Sequence, residues 1–288
     1  MKPIIAALLL LLLCVPARAQ TPLRIVAAET VYGDVAGQLA GPHAIVTSIL
    51  SDPAQDPHLF EASPSVARQV ADTAVVVLNG ADYDPWMRRL LVGAPTAPAR
   101  QVVDVGQLTG QRPGSNPHLW FDPSIMPVVA RAVTAALAWA DAANRPDYDA
   151  RLQTFLASQA PIAARVAALR AQYAGVPVTA TEPVFGLMVS ALGLVMRNDR
   201  FQLAVMNDVE PRLSDVAAFE ADIRLHRVRV LFYNSQASGT AARRMVTMAR
   251  ANQVAVVGVT ETKPAGLTYQ AWMLAQLDAL EHALAAAP

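Results

Sequence analysis

Short runs of β-branched and apolar residues alternate along this chain with segments of helical spacing, and they do so in two series. The first has strand patterns at 23–27, 44–49, 74–78 and 101–105, with helical stretches at 32–39, 63–70 and 83–91. The second has strand patterns at 176–180, 192–196, 228–233 and 254–259, with helical stretches at 183–191, 215–225, 240–251 and 267–286. Strand, helix and strand in succession build parallel sheets covered by helices on both faces. The expected fold class is therefore α/β, in two lobes, each a small parallel sheet flanked by helices. Between the series, residues 125–142 and 148–173 carry helical letters and no strand signal. The second stretch reads as a long connecting helix of about 25 residues, roughly 37 Å at 1.5 Å per residue, which Pro161 can kink without ending. A helical hairpin packed on a single sheet is the alternative. The expected division is a signal peptide over 1–19, an N-terminal α/β lobe over 20–145, a connecting backbone helix over 146–174 and a C-terminal α/β lobe over 175–288. A cleft then lies between the lobes, lined by loops at the carboxyl ends of strands, where such folds bind ligands.

The first twenty residues, MKPIIAALLLLLLCVPARAQ, read differently. One Lys, an apolar run over 4–15 and Ala17-Arg18-Ala19 form a secretory signal with a small-x-small cleavage site. The run is shorter than the about 20 apolar residues that a membrane span needs. The chain's single Cys, Cys14, lies here behind Leu11-Leu12-Leu13, not behind the small residue usual at a lipid-attachment site, so a lipoprotein is the second reading. Removing 1–19 leaves 21 basic against 23 acidic residues and no Cys. Such a balance offers no stripe for nucleic acid. Any metal must be held by nitrogen and oxygen, and the simplest compartment is a bacterial periplasm.

An internal echo supplies the nitrogen. Asp56-Pro57-His58-Leu59-Phe60 recurs as Asn116-Pro117-His118-Leu119-Trp120, and each copy precedes a helix start with an N-cap and a Pro, Ser63-Pro64 and Asp122-Pro123. Pro stiffens each loop and the aromatic residue pins it, so each imidazole is held near a helix N-terminus. Two carboxylates occupy comparable places in the second series. Glu182 follows the strand 176–180 and is kept out of helical geometry by Pro183, and Glu261 follows the strand 254–259. A Glu before a helix is ordinarily dipole decoration. Two facing two imidazoles make a His₂Glu₂ set that fits a divalent cation and cancels its charge.

These residues carry a resemblance. Asp56-Pro57-His58 with Phe60-Glu61-Ala62-Ser63-Pro64, then Ala71-Asp72, Leu78-Asn79-Gly80 and Trp86, then Asn116 through Pro123, resemble the zinc/manganese ABC-transporter solute-binding proteins over essentially the whole mature chain. The resemblance implies two lobes on a rigid helical backbone and four metal ligands, two per lobe, which would be His58, His118, Glu182 and Glu261. It implies a non-catalytic periplasmic receptor, monomeric, that takes Mn²⁺ or Zn²⁺, with Fe²⁺ also admitted, and delivers it to ABC permease subunits driven by a cytoplasmic ATPase. The chain departs from the family at three points. The third position is His in many zinc-binding members and is Glu182 here, and the fourth, commonly Asp, is Glu261. The stretch DVGQLTGQRPGS over 104–115 has no His where many zinc importers carry a His-rich loop. Harder oxygen donors favour Mn²⁺ or Fe²⁺ more than a three-His set does, against a general order that favours Zn²⁺.

Asp56, Asn116 and Asp122 are near enough to orient a ligating His, with a cap or Asx-turn the plainer role for Asp122. Asn234 and Gln236 leave a strand at the same cleft edge, where ordinary loop hydrogen bonding is the plainer account. His43, His226 and His282 have no partner at useful spacing and read as structural or solvated. Two other functions fit the same residues: a periplasmic metal-dependent hydrolase, which would need an open coordination position and a general base, and a metal-binding adhesin or metallochaperone.

Overall fold

The computed structural model describes residues 22–55, 57–93, 100–112, 114–236 and 239–286. The segment 1–19, with Cys14, and Asp56 lie outside the described residues. The first half runs β1 (Leu23–Glu29), α1 (Thr30–Ala40), β2 (Ala44–Leu50), α2 (Pro64–Ala71), β3 (Val75–Leu78), α3 (Pro85–Gly93), β4 (Gln101–Asp104), α4 (Val105–Leu108) and α5 (Ile125–Ala140). Helices α6 (Arg145–Ala157) and α7 (Ala160–Tyr173) follow. The second half runs β5 (Pro177–Ala180), α8 (Gly186–Ala191), β6 (Val195–Arg197), α9 (Asp199–Met206), α10 (Leu213–Arg224), β7 (Val230–Asn234), α11 (Thr240–Ala251), β8 (Ala255–Val259) and α12 (Tyr269–Ala286).

Two four-stranded sheets result, ordered β2-β1-β3-β4 and β6-β5-β7-β8, with every pairing parallel. The same topology is thus built twice, as the two series of strand patterns imply. Sequence explains which strands are central. Val75 through Leu78 are all buried and β1 is buried from Ile25 onward, as parallel strands covered on both faces must be. The edge strand β2 alternates and leaves Ile45 exposed. In each sheet the order reverses direction beside the first strand, which opens a crevice at the carboxyl ends.

The long helix expected over 148–173 is interrupted. Helix α6 ends at Ala157 and α7 begins at Ala160, while Ser158 and Gln159 between them keep right-handed helical dihedrals. Pro161 has no N–H to return to Ala157, so the ladder loses a rung there and tightens into the Gln159 N–H bond to Leu156 O at 3.2 Å. Helix α6 packs on α5 and α1, whereas α7 packs on α12. Two short helices, α4 and α9, also form where no helix is expected from the sequence. Among the described residues no helix is long and apolar enough to cross a membrane.

One apolar cluster runs through both sheets, from Ile25 to Leu284, and a second fills the space between α9, α10 and α11. An aromatic seam carries the first cluster across the cleft. Phe121 meets Phe185 with ring centroids 5.0 Å apart and Trp272 at 5.4 Å, and Phe185 meets Phe232 at 5.1 Å. All four rings are buried. Because the seam belongs to both sheets, the protein is expected to unfold in urea in one transition. Trp272→Ala is expected to cost about 3–5 kcal/mol, the usual range for a buried Trp, without splitting that transition. Two resolved transitions in the unsubstituted protein would contradict a shared core.

Candidate metal centre

The sheets face each other at their carboxyl ends, and the polar residues buried there come from loops that leave strands. His58 lies on a 3₁₀ turn, Pro57–Leu59, after β2. His118 precedes another, Leu119–Phe121. Glu182, extended at φ −146° and ψ 158° ahead of Pro183, caps a third. Glu261 follows β8, and Asn234 is the last residue of β7. Glu182, Asn234, Glu261 and His118 are all buried, and only His58 reaches the edge of the site.

Glu261 is the hub. Its Oε2 lies 3.1 Å from His118 Nε2 and 3.4 Å from His58 Nε2, and it accepts a hydrogen bond from Tyr83 OH at 2.8 Å. Its Oε1 accepts from Asn234 Nδ2 at 2.6 Å. His58, His118 and Glu261 each present a ligand atom within 4.8 Å of the others, the one such group of three His, Cys, Asp or Glu side chains among the described residues. Glu182, the fourth residue expected from the sequence, stands one side chain away: its Oε2 accepts from the same Asn234 Nδ2.

The tautomer of His118 follows from its neighbour. Asn116 Oδ1 accepts the His118 backbone N–H at 3.0 Å, while Asn116 Nδ2 donates to Pro183 O at 2.6 Å. The oxygen therefore faces His118 Nδ1, 2.8 Å away, and Nδ1 must donate to it. In the neutral ring, Nε2 then presents a lone pair to the Glu261 carboxylate. Burial pushes the His118 imidazole below its ordinary value. Burial also opposes ionisation of Glu261, but the hydrogen bonds and charge of His118 and His58 outweigh it and hold this carboxyl well below the usual range. Two acceptors so close require a cation between them. A proton can serve, and so can a metal ion.

Gln236 and Tyr83 position the hub. Gln236 Oε1 accepts the backbone N–H groups of Glu261 and Thr262 at 2.7 and 2.9 Å, and its Nε2 donates to Gln55 O in the first half of the chain at 3.1 Å. Tyr83 is delivered by three successive left-handed residues, Gly80, Ala81 and Asp82, with φ of 68°, 48° and 64°. Left-handed geometry costs a residue with a Cβ about 1–2 kcal/mol. Here it is held by Asp84, whose carboxylate accepts the N–H groups of Asn79 and Gly80 at 2.7 and 2.8 Å. Burial and the Glu261 charge push the Tyr83 phenol up, so it remains a donor.

Of the other expected partners, Asp122 accepts from Ser124 N and Ser124 Oγ at 2.9 and 2.6 Å, a local turn. His43 pairs with Asp147 of α6 at 2.8 Å, a structural tie its spacing did not reveal. His226 takes a left-handed φ of 49° just past α10.

Two imidazoles and two carboxylates gathered where the sheets of a two-lobed α/β protein meet are the donor set of a divalent-metal site. The family model described as ZnuA, zinc-uptake complex component A, periplasmic, matches residues 25–283, and the chain belongs to that family. An uptake component is not a hydrolase, which sets that alternative aside. Among curated relatives, the manganese-binding lipoprotein MntA of Halalkalibacterium halodurans is 31% identical over 105 residues, 35% of this chain and 34% of that one. The iron-binding protein YfeA of Yersinia pestis is 23% identical over 169 residues, 54% and 53% of the two chains. This chain therefore spans about a third to a half of these relatives. The periplasmic zinc-binding protein TroA of Treponema pallidum shares the fold, with a TM-score of 0.78 at 18% identity over 92% of this chain and 99% of that one. So does a manganese-bound periplasmic metal-binding protein of Candidatus Liberibacter asiaticus, with a TM-score of 0.72 at 15% identity over 91% and 99% of the two chains.

The loop under Tyr83 generates a pH prediction. Burial is the main cause that raises Asp84 from 3.8 to about 6, and buried Glu29 beside it is also pushed up. The folded state then holds a proton that the unfolded chain releases at lower pH. Stability from this group is full below about pH 4 and is lost as pH rises through about 6. Relative to Asp84→Asn, the unsubstituted protein is expected to lose about 2–3 kcal/mol of unfolding free energy over that window. Urea titrations at the two ends check it, and equal pH dependence in both proteins would contradict it.

Proposed function

We propose that this protein is the periplasmic solute-binding receptor of an ABC importer, capturing a divalent transition metal, Mn²⁺ or Zn²⁺ with Fe²⁺ admitted, between its sheets. The ligands are His58 and His118 from the N-terminal lobe, 20–145, and Glu182 and Glu261 from the C-terminal lobe, 175–288, with 146–174 as the backbone between them. The observation that carries the reading is the approach of His118 Nε2 to Glu261 Oε2 at 3.1 Å, with Nδ1 of the same ring already committed to Asn116 Oδ1. A dication replaces the proton there and joins two nitrogens to two carboxylates that cancel its charge.

The family membership supports uptake, and the names of MntA and YfeA, a manganese and an iron binder, support a dication that is not restricted to zinc. The receptor is exported through the 1–19 signal, acts as a monomer, and hands its ion to the permease subunits of an importer driven by a cytoplasmic ATPase. A cleft of about 670 Å³ that reaches the exposed edge of His58 and is walled by Leu59, Val209 and Gln236 is the route to the site.

Calorimetry on metal-stripped protein is expected to show one ion bound per chain. His58→Ala or Glu182→Ala should each weaken binding by about 100-fold or more, beyond the 10–100-fold typical of an outer partner. Unchanged binding in either variant would remove that residue from the ligand set. Protons compete for imidazole nitrogen, so affinity should fall as pH drops through about 6–7. The depressed His118 places its share of the fall on the acid side of that range. Affinity that is flat from about pH 8 to about pH 5 would exclude histidine ligation.

A further inference from the structure

The loop that carries Glu261 from β8 to α12 is also held from outside the site. Two residues after Glu261, Lys263 turns its ammonium back into the loop, donating to Pro264 O at 3.2 Å and to Leu267 O, and comes within 4.0 Å of Asp34 Oδ1 on α1. Asp34 Oδ2 accepts the backbone N–H of Tyr269, the first residue of α12, at 2.7 Å. The first N–H groups of a helix have no partner within it, and here a carboxylate from the other half of the chain caps one.

Gln38 lies one turn further along α1, on the same face. Its Nε2 donates to Asp34 Oδ2 at 2.7 Å, which fixes the direction of the amide, and to Gln270 Oε1 at 3.1 Å. Gln270 Nε2 returns a bond to Gln38 Oε1 at 3.0 Å and donates its other hydrogen to Ser158 Oγ at 2.8 Å, in the break between α6 and α7. Both hydrogens of both amides are used. One line of polar side chains thus runs from the Glu261 loop along α1 to the interruption in the backbone. Unlike the aromatic seam, this line can come apart. Asp34, Gln38 and Gln270 are half-buried and residues 265–268 are exposed, so water can take up each bond that opens. The seam behind stays packed, which confines such an opening to the loop and the first turn of α12.

We propose that Asp34, Gln38 and Gln270 are positioning residues for the metal site: they form a clasp that holds the loop bearing Glu261 against α1, and a bound ion, by fixing Glu261, tightens it. This rests on the receptor reading above and deepens it. An ion that binds only the clasped loop raises the population of clasped molecules, and the clasp raises the fraction ready to bind. A residue that merely stabilised α1 against α12 would leave the clasp indifferent to metal.

Lys263 reports the state of the clasp, because outside the first nineteen residues it is the chain's one lysine, and it is 8% exposed. The test uses the full mature chain and Gln270→Ala, which alters no charge and no metal ligand. Each is stripped of metal, titrated with Zn²⁺ by calorimetry, and treated with acetic anhydride at one pH with and without saturating Zn²⁺, and mass spectrometry follows acetylation of Lys263. In the unsubstituted protein Zn²⁺ should slow that acetylation by about 10-fold, within the usual range of coupling between two sites. In metal-free Gln270→Ala it should quicken by about 10-fold, about what two net hydrogen bonds contribute, and Zn²⁺ should restore the slow rate. Stoichiometric Zn²⁺ binding with Lys263 acetylation unchanged by the ion, or unchanged by the substitution, overturns the clasp and leaves the receptor reading standing. Failure of the unsubstituted protein to bind Zn²⁺ stoichiometrically overturns both. Should Gln270→Ala not fold, Gln38→Ala takes its place, and the effect of Zn²⁺ on Lys263 of the unsubstituted protein decides the question by itself.

Discussion

An ionised carboxylate buried where two parallel sheets meet is the constraint on which this structure depends. Glu261 is 1% exposed, and burial of an uncompensated charge is too costly to persist. Everything around it compensates. Two imidazoles face one oxygen and share with it the proton or metal ion that must lie between them, Tyr83 donates to the same oxygen, Asn234 donates to the other, and Gln236 holds the backbone that carries it. Since His58, His118 and Tyr83 come from the first half of the chain and the rest from the second, compensating this one charge also draws the two halves together. Removing one partner of such a group costs more than any single bond within it, because the charge left behind has no water to turn to.

The apolar core makes that arrangement rigid. The seam from Trp120 and Phe121 through Phe185 to Phe232 and Trp272 lies just behind the polar residues, and Tyr83 and His118 both pack edge-on against Trp120, at 5.0 and 5.6 Å. Imidazoles set against fixed rings, with Nδ1 of His118 anchored by Asn116, have little freedom to turn. That is the preorganisation a metal site needs, since ligands that are already aimed lose little entropy when the ion arrives.

Much of this was legible in the sequence, for identifiable reasons. Strands such as Val75–Leu78 are apolar throughout because both faces are covered, and the doubled Pro-His motif places two imidazoles in matching loops. The places of Glu182 and Glu261 just past strand carboxyl ends were legible because the strand runs before them are, and parallel sheets gather ligand-binding loops at those ends. What stayed hidden depends on contacts between distant segments. Tyr83 reads as the start of a helix, and its place in the site comes from the left-handed turn at 80–82, which no periodicity records. Asn234 reads as a candidate for the cleft edge with ordinary loop bonding as the plainer account, and only the contacts between distant segments show it on both carboxylates. Helix α9 was missed because its eight residues bury only Phe201 and Gln202, too few to show a face. The break between α6 and α7 turns on one missing N–H at Pro161, whose effect depends on what each helix packs against.

Anomalous diffraction from crystals of the metal-loaded protein, recorded on both sides of the absorption edge of the bound ion, tests the central claim most directly. The account predicts a single peak between the sheets, about 2.0–2.2 Å from imidazole nitrogens of His58 and His118 and from carboxylate oxygens of Glu182 and Glu261. A peak elsewhere on the molecule, or none at stoichiometric metal, would contradict it.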